Sequence, residues 1–576
     1  MNVLAMGIAP WGDRAHLNLY RSACGHEVRL LAMTGDADYF FTAGETAAHV
    51  VQRISADWPP DLLLCGCPEV YPPPRAIEHC PIQTAAIISD WNLYQPQLEH
   101  NLSRFDVVLS DRMAERALRV WGAQPRFVQP LYSHRTLVHR PLGMERDIDI
   151  LFLGNLNHAI HRARGKVLEM AGRLSDDYRV VIDEGHPPEA YARGLNRARV
   201  AVNYAVRHEM NLRCFEAPAC GALLFLEAEN LEARDYLTDG GQAVFYRAEN
   251  LEALLRACLE DEPRRAAMAR VGQERIADLA IERRLDDLFN WIAAQPRAPR
   301  AFLDLPGTAR GLADVLMYGS SFELEQRAMA AALLAKEMES GATAAHHMAA
   351  GCMLFEEAAL STSEDRPALV RACVDRFQEA ALAAPHDAAP WYNLAIVARQ
   401  AGAGIAELEC LGRVLEARQA ALGAFVLGKV SDPYYAAWRL ALGHGRAAPQ
   451  LLRAAAAARL AECALERGDA PGALDYAGQS IALCAGMGAP YRWAAAAHTR
   501  LGRLDEAARL LETGLPHTAF DAEYRRDLVQ ALRAAGRETE SRARALESAR
   551  IFQACPRMQA EAELFRGLAA GTSGFA

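Results

Sequence analysis

The residues best placed to do chemistry lie in one stretch, NLRCFEAPACGALLFLEAENLEARDYLTDGGQAVFY, which starts at Asn211. Arg213 and Glu216 stand three residues apart in it, so both fall on one face of a helix. A guanidinium at that point can hold a diphosphate through paired hydrogen bonds. A carboxylate repels phosphate, but it can accept two hydrogen bonds from a ribose diol. The same two residues are equally consistent with a plain ion pair on a helix surface. The helix would begin near Asn211, after the strand-like run RVAVNY, and end at Gly221, whose missing Cβ suits the position after a helix C-cap. Its N-terminus would then point at a strand's carboxyl end, with free N–H groups and a positive dipole end suited to an anion.

A second constellation is FLGNLNHAIHRARGK, from Phe152. An apolar run ends at Gly154, polar Asn155 and Asn157 follow, and a helix then opens with His161, Arg162, Arg164 and Lys166. Gly154 would let a ligand approach the backbone, or it simply turns the chain. Arg162 and Arg164 would face the diphosphate from the other side, or they belong to a solvated helix face. A cation here could stabilise a departing diphosphate, as a metal does elsewhere. The spacing is not G-x-G-x-x-G, so ordinary dinucleotide binding is not favoured. Nearer the N-terminus, ISDWNLYQPQL from Ile88 leaves a strand with Asp90, Trp91 and Asn92. A carboxylate beside an aromatic can receive hydroxyl groups and stack on a sugar or peptide; the alternative for Asp90 is a helix cap. Gly7, after the first strand, would line the same cleft, and His134 would enter it from the hinge or serve a structural role.

These residues need strands to carry them. Short aliphatic runs start at Asn2, Glu27, Asp61, Thr84, Asp106 and Arg126, with amphipathic segments such as Ala47, Val50, Val51 and Ile54 between them. A second series starts at Ile148, Tyr178, Arg199, Ala222 and Ala243, closed by helices over Leu251–Glu260, Pro263–Leu279 and Ile281–Ala294. Continuous apolar strands alternating with helices predict two Rossmann-like, doubly wound parallel-sheet domains with a cleft between them. Past Ala294–Arg310, strand signals fade and alanine, leucine and arginine dominate at helical periods. Gly468, Gly502 and Gly536 stand 34 residues apart, with Ala461 and Ala495 before the turn and Ala473 and Ala507 after it. A 34-residue helix–turn–helix period is that of tetratricopeptide repeats, and an earlier copy fits around Trp391, Leu394, Ala395 and Gly402. The predicted architecture is α/β followed by all-α. An N-terminal unit spans 1–142, a second unit 143–295, a linker and helical connection 296–342, and a tetratricopeptide solenoid 343–576. The Pro-rich stretch near Pro299 predicts a separable two-domain core.

The segment Asn211–Val244 resembles the carboxy-terminal donor domain of GT-B glycosyltransferases, within them the spore-maturation-protein (CgeB-like) group. That group carries an R-x-F-E-x-x-A-C-G-like box, which here reads Arg213, Phe215, Glu216, Ala219, Cys220 and Gly221. The resemblance covers Ile148–Ile292, and over Met1–Pro141 it rests on strand order. It implies that Glu216 binds the nucleotide ribose and Arg213 the diphosphate, and that Gly154 and a nearby basic residue belong to the donor site. Many retaining members carry a second glutamate eight residues before the first; here that position is His208, followed by Glu209. The resemblance implies a retaining, metal-independent transfer. No paired aspartate of the metal-binding kind stands at a strand end, since Asp176–Asp177 and Asp286–Asp287 lie in helical contexts.

Composition narrows the reading further. Lys and Arg total 62 against 72 Asp and Glu, a net charge of −10, which disfavours a nucleic-acid-coating role. No apolar run is long enough to span a membrane, and the N-terminus reads as a strand rather than a signal peptide. The 13 scattered cysteines predict reduced, buried thiols in a cytoplasmic protein, and Cys65 and Cys67 have no second pair to complete a zinc site. The expected function is transfer of a sugar from a nucleotide-sugar to an acceptor hydroxyl, with no cofactor beyond that donor. Arg213, Arg162 and Asp90 are the expected catalytic residues. Gly154, Asn155, Asn157, Arg164, Asn211 and Glu216 are expected on the donor, and Gly7, Trp91, Asn92 and His134 on the acceptor side. The solenoid would hold a protein acceptor on its concave face, by analogy with flagellin-type O-glycosylation. The alternatives are a repeat scaffold with a non-catalytic nucleotide-binding domain, or a nucleotide-sugar epimerase.

Overall fold

The structure, a computed structural model, describes residues 1–7, 25–88, 91, 94–112, 114–115, 133–157, 162–205, 208–230, 232–297, 301–321, 323–361, 364–401, 406–427 and 449–571. The predicted strand at Arg126, together with Asp90, Asn92, His161 and Pro299, lies outside the described residues.

The first unit is a six-stranded parallel sheet of β1 (Asn2–Met6), β2 (Glu27–Ala32), β3 (Tyr39–Phe40), β4 (Leu62–Gly66), β5 (Gln83–Ile87) and β6 (Val107–Leu109), in the order β3-β2-β1-β4-β5-β6. Residues alternate between its faces, as the two-residue period of a strand requires. Leu4, Met6, Leu63 and Cys65 meet the helix α1 (Ala47–Ile54), whose Ala47, Val50, Val51 and Ile54 are buried, and α2 (Gln95–Asn101) through Leu98. Thr46 starts α1 by accepting a hydrogen bond from His49 N–H at 3.2 Å.

The second unit is a five-stranded parallel sheet of β7 (Ile148–Leu153), β8 (Val180–Asp183), β9 (Ala198–Val202), β10 (Leu223–Glu227) and β11 (Val244–Tyr246), ordered β11-β10-β9-β7-β8. The chain order reverses at β7 and β9, which places a crevice beyond their carboxyl ends. Helices α3 (Arg162–Gly172) and α6 (Leu251–Glu260) cover one face, α4 (Pro188–Arg197) and α5 (Arg213–Ala219) the other, and α7 (Glu262–Ala277) joins both cores, through Met268 and Ala269 on the first and Ile276 on the second. Helix α8 (Ile281–Ala293) departs from the sequence expectation that it closes this unit. Its Ile281, Leu285, Phe289 and Ile292 pack on Val3, Ala5, Leu62 and Leu64, so it covers the free face of the first sheet. Period-3.6 apolarity specifies a buried face but not the surface that buries it.

The rest of the described chain is helical: α9 (Gly307–Gly319), α10 (Leu324–Glu339), α11 (Ala344–Leu360), α12 (Arg366–Ala383), α13 (Ala388–Ala401), α14 (Glu407–Glu416), α15 (Pro449–Glu466), α16 (Ala470–Leu483), α17 (Ala489–Arg500), α18 (Leu504–Gly514), α19 (Ala522–Ala534), α20 (Glu538–Gln553) and α21 (Gln559–Ala570). The hairpins α15–α16, α17–α18 and α19–α20 repeat at the 34-residue period. Each turns at a glycine with positive φ, +82° at Gly468, +74° at Gly502 and +75° at Gly536, a conformation that costs a side-chain-bearing residue energy. Ala461, Ala473, Ala495 and Ala507 are all buried, which lets the paired helices approach closely.

This helical region is anchored at both ends. Met317 and Tyr318 of α9 and Ala330 of α10 enter the core of the first unit, and Asn101 donates to Ala313 O at 3.0 Å. Arg104, fully buried, pairs with Asp314 at 2.7 Å. At the far end, Val529, Ala545, Ile551, Phe552 and Phe565 join the core of the second unit. Arg525 pairs with the buried Glu169 of α3 at 2.7 Å, and Ile182 N–H donates to Ala554 O at 2.9 Å. The Pro-rich linker therefore does not separate an independent core from the helices. Each Rossmann-like unit completes its apolar packing with helices that follow the linker.

Candidate functional site

The carboxyl ends of β7, β8 and β9 meet α4 and α5 in a cluster built around Arg213. Its guanidinium lies over Gly154, where a Cβ would come within 2.3 Å of Nη2, so no larger residue fits at that point without displacing it. Arg213 Nη2 donates to Leu153 O, and Nη1 donates to Asn203 Oδ1 at 2.9 Å. The guanidinium also stacks on the Phe152 ring, 4.6 Å from its centroid, and leaves Nε buried without a hydrogen-bond partner. Asn203, fully buried at the end of β9, also accepts from Asn211 Nδ2 at 2.9 Å.

Glu216 stands one turn along α5 from Arg213, within reach of its charge. Tyr191 of α4 donates to Glu216 Oε2 at 2.9 Å, and His139 Nε2 is 3.6 Å from Oε1. Burial raises the Glu216 carboxyl above the ordinary carboxylate range, opposed by the Tyr191 hydrogen bond and by the charges of Arg213 and Arg135. Burial likewise raises the Tyr191 phenol, reinforced by the Glu216 charge. Arg213 and Glu216 are thus not an exposed surface pair; each has its own buried partners. Gly154, Asn155, Glu184, His186 and Tyr191 line a cavity of about 430 Å³ beside the cluster.

Other donor-side expectations resolve differently. Arg164 is buried, and its guanidinium donates to Tyr204 O and Asn155 O, both at 2.9 Å. It ties the ends of β7 and β9 together rather than facing a ligand, and burial with the nearby Arg213 charge lowers it to about 10. Asn155 Oδ1 accepts from Asn157 N–H at 2.8 Å, which shapes the loop after β7. Arg162 opens α3, and its side chain lies outside the described residues. The α5 N-terminus offers fewer free donors than the sequence predicts. The N–H groups of Cys214, Phe215 and Glu216 are already given to the Asn211 and Leu212 carbonyls. His208 has φ +57° and contacts Tyr204 edge to face.

On the first unit, Gly7 sits where a Cβ would meet Gly66 O at 1.9 Å. It lines a second cavity of about 290 Å³ with Leu31, Thr34, Asp36, Glu323 and Gln326. Gln326 is buried, with Oε1 unpartnered among the described residues. Two acceptor-side expectations are corrected. Trp91 is fully buried and donates Nε1–H to Asp111 at 3.2 Å, so its ring packs in the core and cannot stack on a ligand. His134 is buried where the hinge meets α8, its carbonyl accepting from Ile281 N–H at 3.1 Å, and burial lowers its imidazole to about 4.

Tyr191, His139, Asn203 and Glu227 were not singled out from sequence. Asn203 and Glu227 carried a signal, each as a polar residue directly after an apolar run. Glu227 ends β10 buried, accepts from Ala205 N–H at 3.0 Å, and is raised by burial to about 8. No group of three or more metal-ligating side chains occurs among the described residues, and no described helix is long and apolar enough to cross a membrane.

Comparison with solved structures returns sucrose-phosphate synthase from Thermosynechococcus elongatus, at 12% identity over 51% of this chain and 100% of that one, with a TM-score of 0.37. HepE of Anabaena in complex with UDP and glucose is 11% identical over 51% and 100%, also at 0.37. A glycosyltransferase from Rickettsia africae is 9% identical over 51% and 99%, again at 0.37. No curated protein matches the chain. Residues 135–290 match a family described as glycosyl transferase-like, and that stretch holds Gly154, Tyr191, Arg213 and Glu216.

Proposed function

We propose that this chain is a GT-B glycosyltransferase of the CgeB-like kind, moving a sugar from a nucleotide-sugar to an acceptor hydroxyl with retention and without a metal. The observation that carries the reading is the Arg213 guanidinium held over Gly154 beside the Tyr191–Glu216 pair, at a parallel-sheet switch point and inside the glycosyl transferase-like stretch. Arg213, with Arg162 opening the neighbouring helix, takes the charge that grows on the departing diphosphate. Preorganised cations act most strongly in such a water-poor site. The acceptor hydroxyl attacks on the face the diphosphate leaves, and a diphosphate oxygen receives its proton. Glu216 accepts the ribose diol, with Tyr191 orienting the carboxylate. Asn155, Asn157 and Asn211 shape the donor loops, and Asp90 meets the acceptor.

The 34-residue hairpins are read as tetratricopeptide-type repeats that present a protein acceptor to the cleft. The test is incubation of the full chain with a panel of nucleotide-sugars, with and without candidate acceptor proteins. Sugar transferred to a hydroxyl with retained anomeric configuration, at a rate unchanged by chelator, supports the reading. Epimerised donor in the absence of acceptor refutes it in favour of an epimerase. Nucleotide binding with no turnover on any acceptor refutes it in favour of a scaffold.

A further inference from the structure

One wall of the 430 Å³ cavity is not supplied by the glycosyl transferase-like stretch. It comes from Arg557, in the turn between α20 and α21. That turn is held against the carboxyl end of β8. Ile182 N–H donates to Ala554 O at 2.9 Å, and the adjoining Cys555 is buried. Arg557 then reaches back over the loop that follows β8. Its Nε is 3.0 Å from Asp183 Oδ1, and its Nη2 donates to Glu184 O at 2.6 Å. The other Asp183 oxygen is 2.9 Å from His186 Nε2, which fixes the loop from its second side. Although it is anchored in this way, the Arg557 side chain stays 57% exposed.

The two ends of this cavity differ in charge. Behind Gly154 the Arg213 guanidinium hydrogen-bonds the neutral acceptors Leu153 O and Asn203 Oδ1, and the nearby carboxylate, Glu216, accepts its hydrogen bond from Tyr191 instead, so this end is the more cationic one. At the Arg557 end the cation is flanked by Asp183 and Glu184, so that wall carries no net positive charge and does not suit a second phosphate group. It offers what an uncharged planar heterocycle needs: a flat guanidinium to stack on or donate from, beside carboxylate acceptors. We propose that Arg557 binds the nucleobase of the donor and sets its base preference, so that the helical region forms part of the donor pocket. This rests on the nucleotide-sugar reading above. It also accounts for a docking turn that holds Arg557 at the pocket mouth.

The experiment is calorimetric titration of the full chain with UDP, GDP, ADP, dTDP and inorganic pyrophosphate, for the wild type, Arg557→Ala and Arg557→Lys. The expected result is about a tenfold loss of affinity for the preferred nucleoside diphosphate in Arg557→Ala, a narrowed spread among the bases, and unchanged affinity for pyrophosphate. If Arg557→Ala loosens the docking, seen as a lower melting temperature, Arg557→Lys decides. It keeps the ion pair to Asp183 but loses the plane, and it should show the same narrowed spread. Unchanged nucleotide affinity and unchanged base preference in folded variants would overturn the assignment. An equal loss for pyrophosphate would overturn it too, because Arg557 would then act on phosphate. A wild type that binds none of the nucleoside diphosphates would overturn the donor-site reading itself, a result distinct from either.

Discussion

The ion pair between Glu169 of α3 and Arg525 of α19 offers a direct test of how the helical region is held. Its side chains are 8% and 2% exposed, with Nη2 2.7 Å from Oε1, and Phe520 N–H donates to the same oxygen at 2.7 Å. Arg525→Met removes the cation and leaves the carboxylate buried with that single donor. Breaking a buried pair from one side costs about 3–5 kcal/mol, because the remaining charge can be solvated by neither water nor partner. Adding Glu169→Gln removes the stranded charge while keeping an oxygen for Phe520 N–H. The double variant is therefore expected to lie within about 1–2 kcal/mol of the wild type. Urea unfolding followed by both far-UV circular dichroism and tryptophan fluorescence measures this, two probes being needed because several units need not unfold together. A loss under 1 kcal/mol in Arg525→Met, or a double variant no more stable than the single one, would show that the pair is not the buried anchor described.

Three further outcomes are expected. A chain cut at Pro299 loses Met317 and Tyr318 from the first core and Ile551, Phe552 and Phe565 from the second, and should aggregate or elute as an expanded species in size-exclusion chromatography; a compact, monomeric core would contradict this. Arg213→Ala should lower kcat about 100-fold or more while changing donor affinity less, which initial rates against calorimetric affinity would separate. Glu227 is raised to about 8 when folded, against an ordinary value near 4.5, so over that window the folded chain binds more protons than the unfolded one, and stability falls as pH rises from about 4.5 to about 8. Glu227→Gln should flatten that fall in thermal melts at stepped pH, and an unaltered slope would assign it to other groups.

The parts of this protein legible in sequence are those with a local cause. Apolar runs at Asn2, Ile148 and Ala222 became strands because continuous burial on both faces of a parallel sheet needs them. The 34-residue spacing of Gly468, Gly502 and Gly536 became three hairpin turns because each helix end there needs a left-handed residue. Arg213 and Glu216 could be singled out because residues three apart on a helix are neighbours whatever the rest of the chain does, whereas Gly154 meets Arg213 only because β7 pairs with β9. Partners brought together from far along the chain could not be read this way. Helix α8 is amphipathic in either setting, yet its apolar face found Val3 and Leu64 rather than the second sheet. Trp91 beside Asp90 looked like a stacking platform until packing buried it. Arg557 meets Asp183 across 374 residues, and no periodicity or motif near either one announces the other. A residue's backbone state follows largely from its neighbours in sequence. Its solvent exposure, its partner and its access to a cavity depend on which distant surfaces can bury the most apolar area together, and only the folded chain decides that.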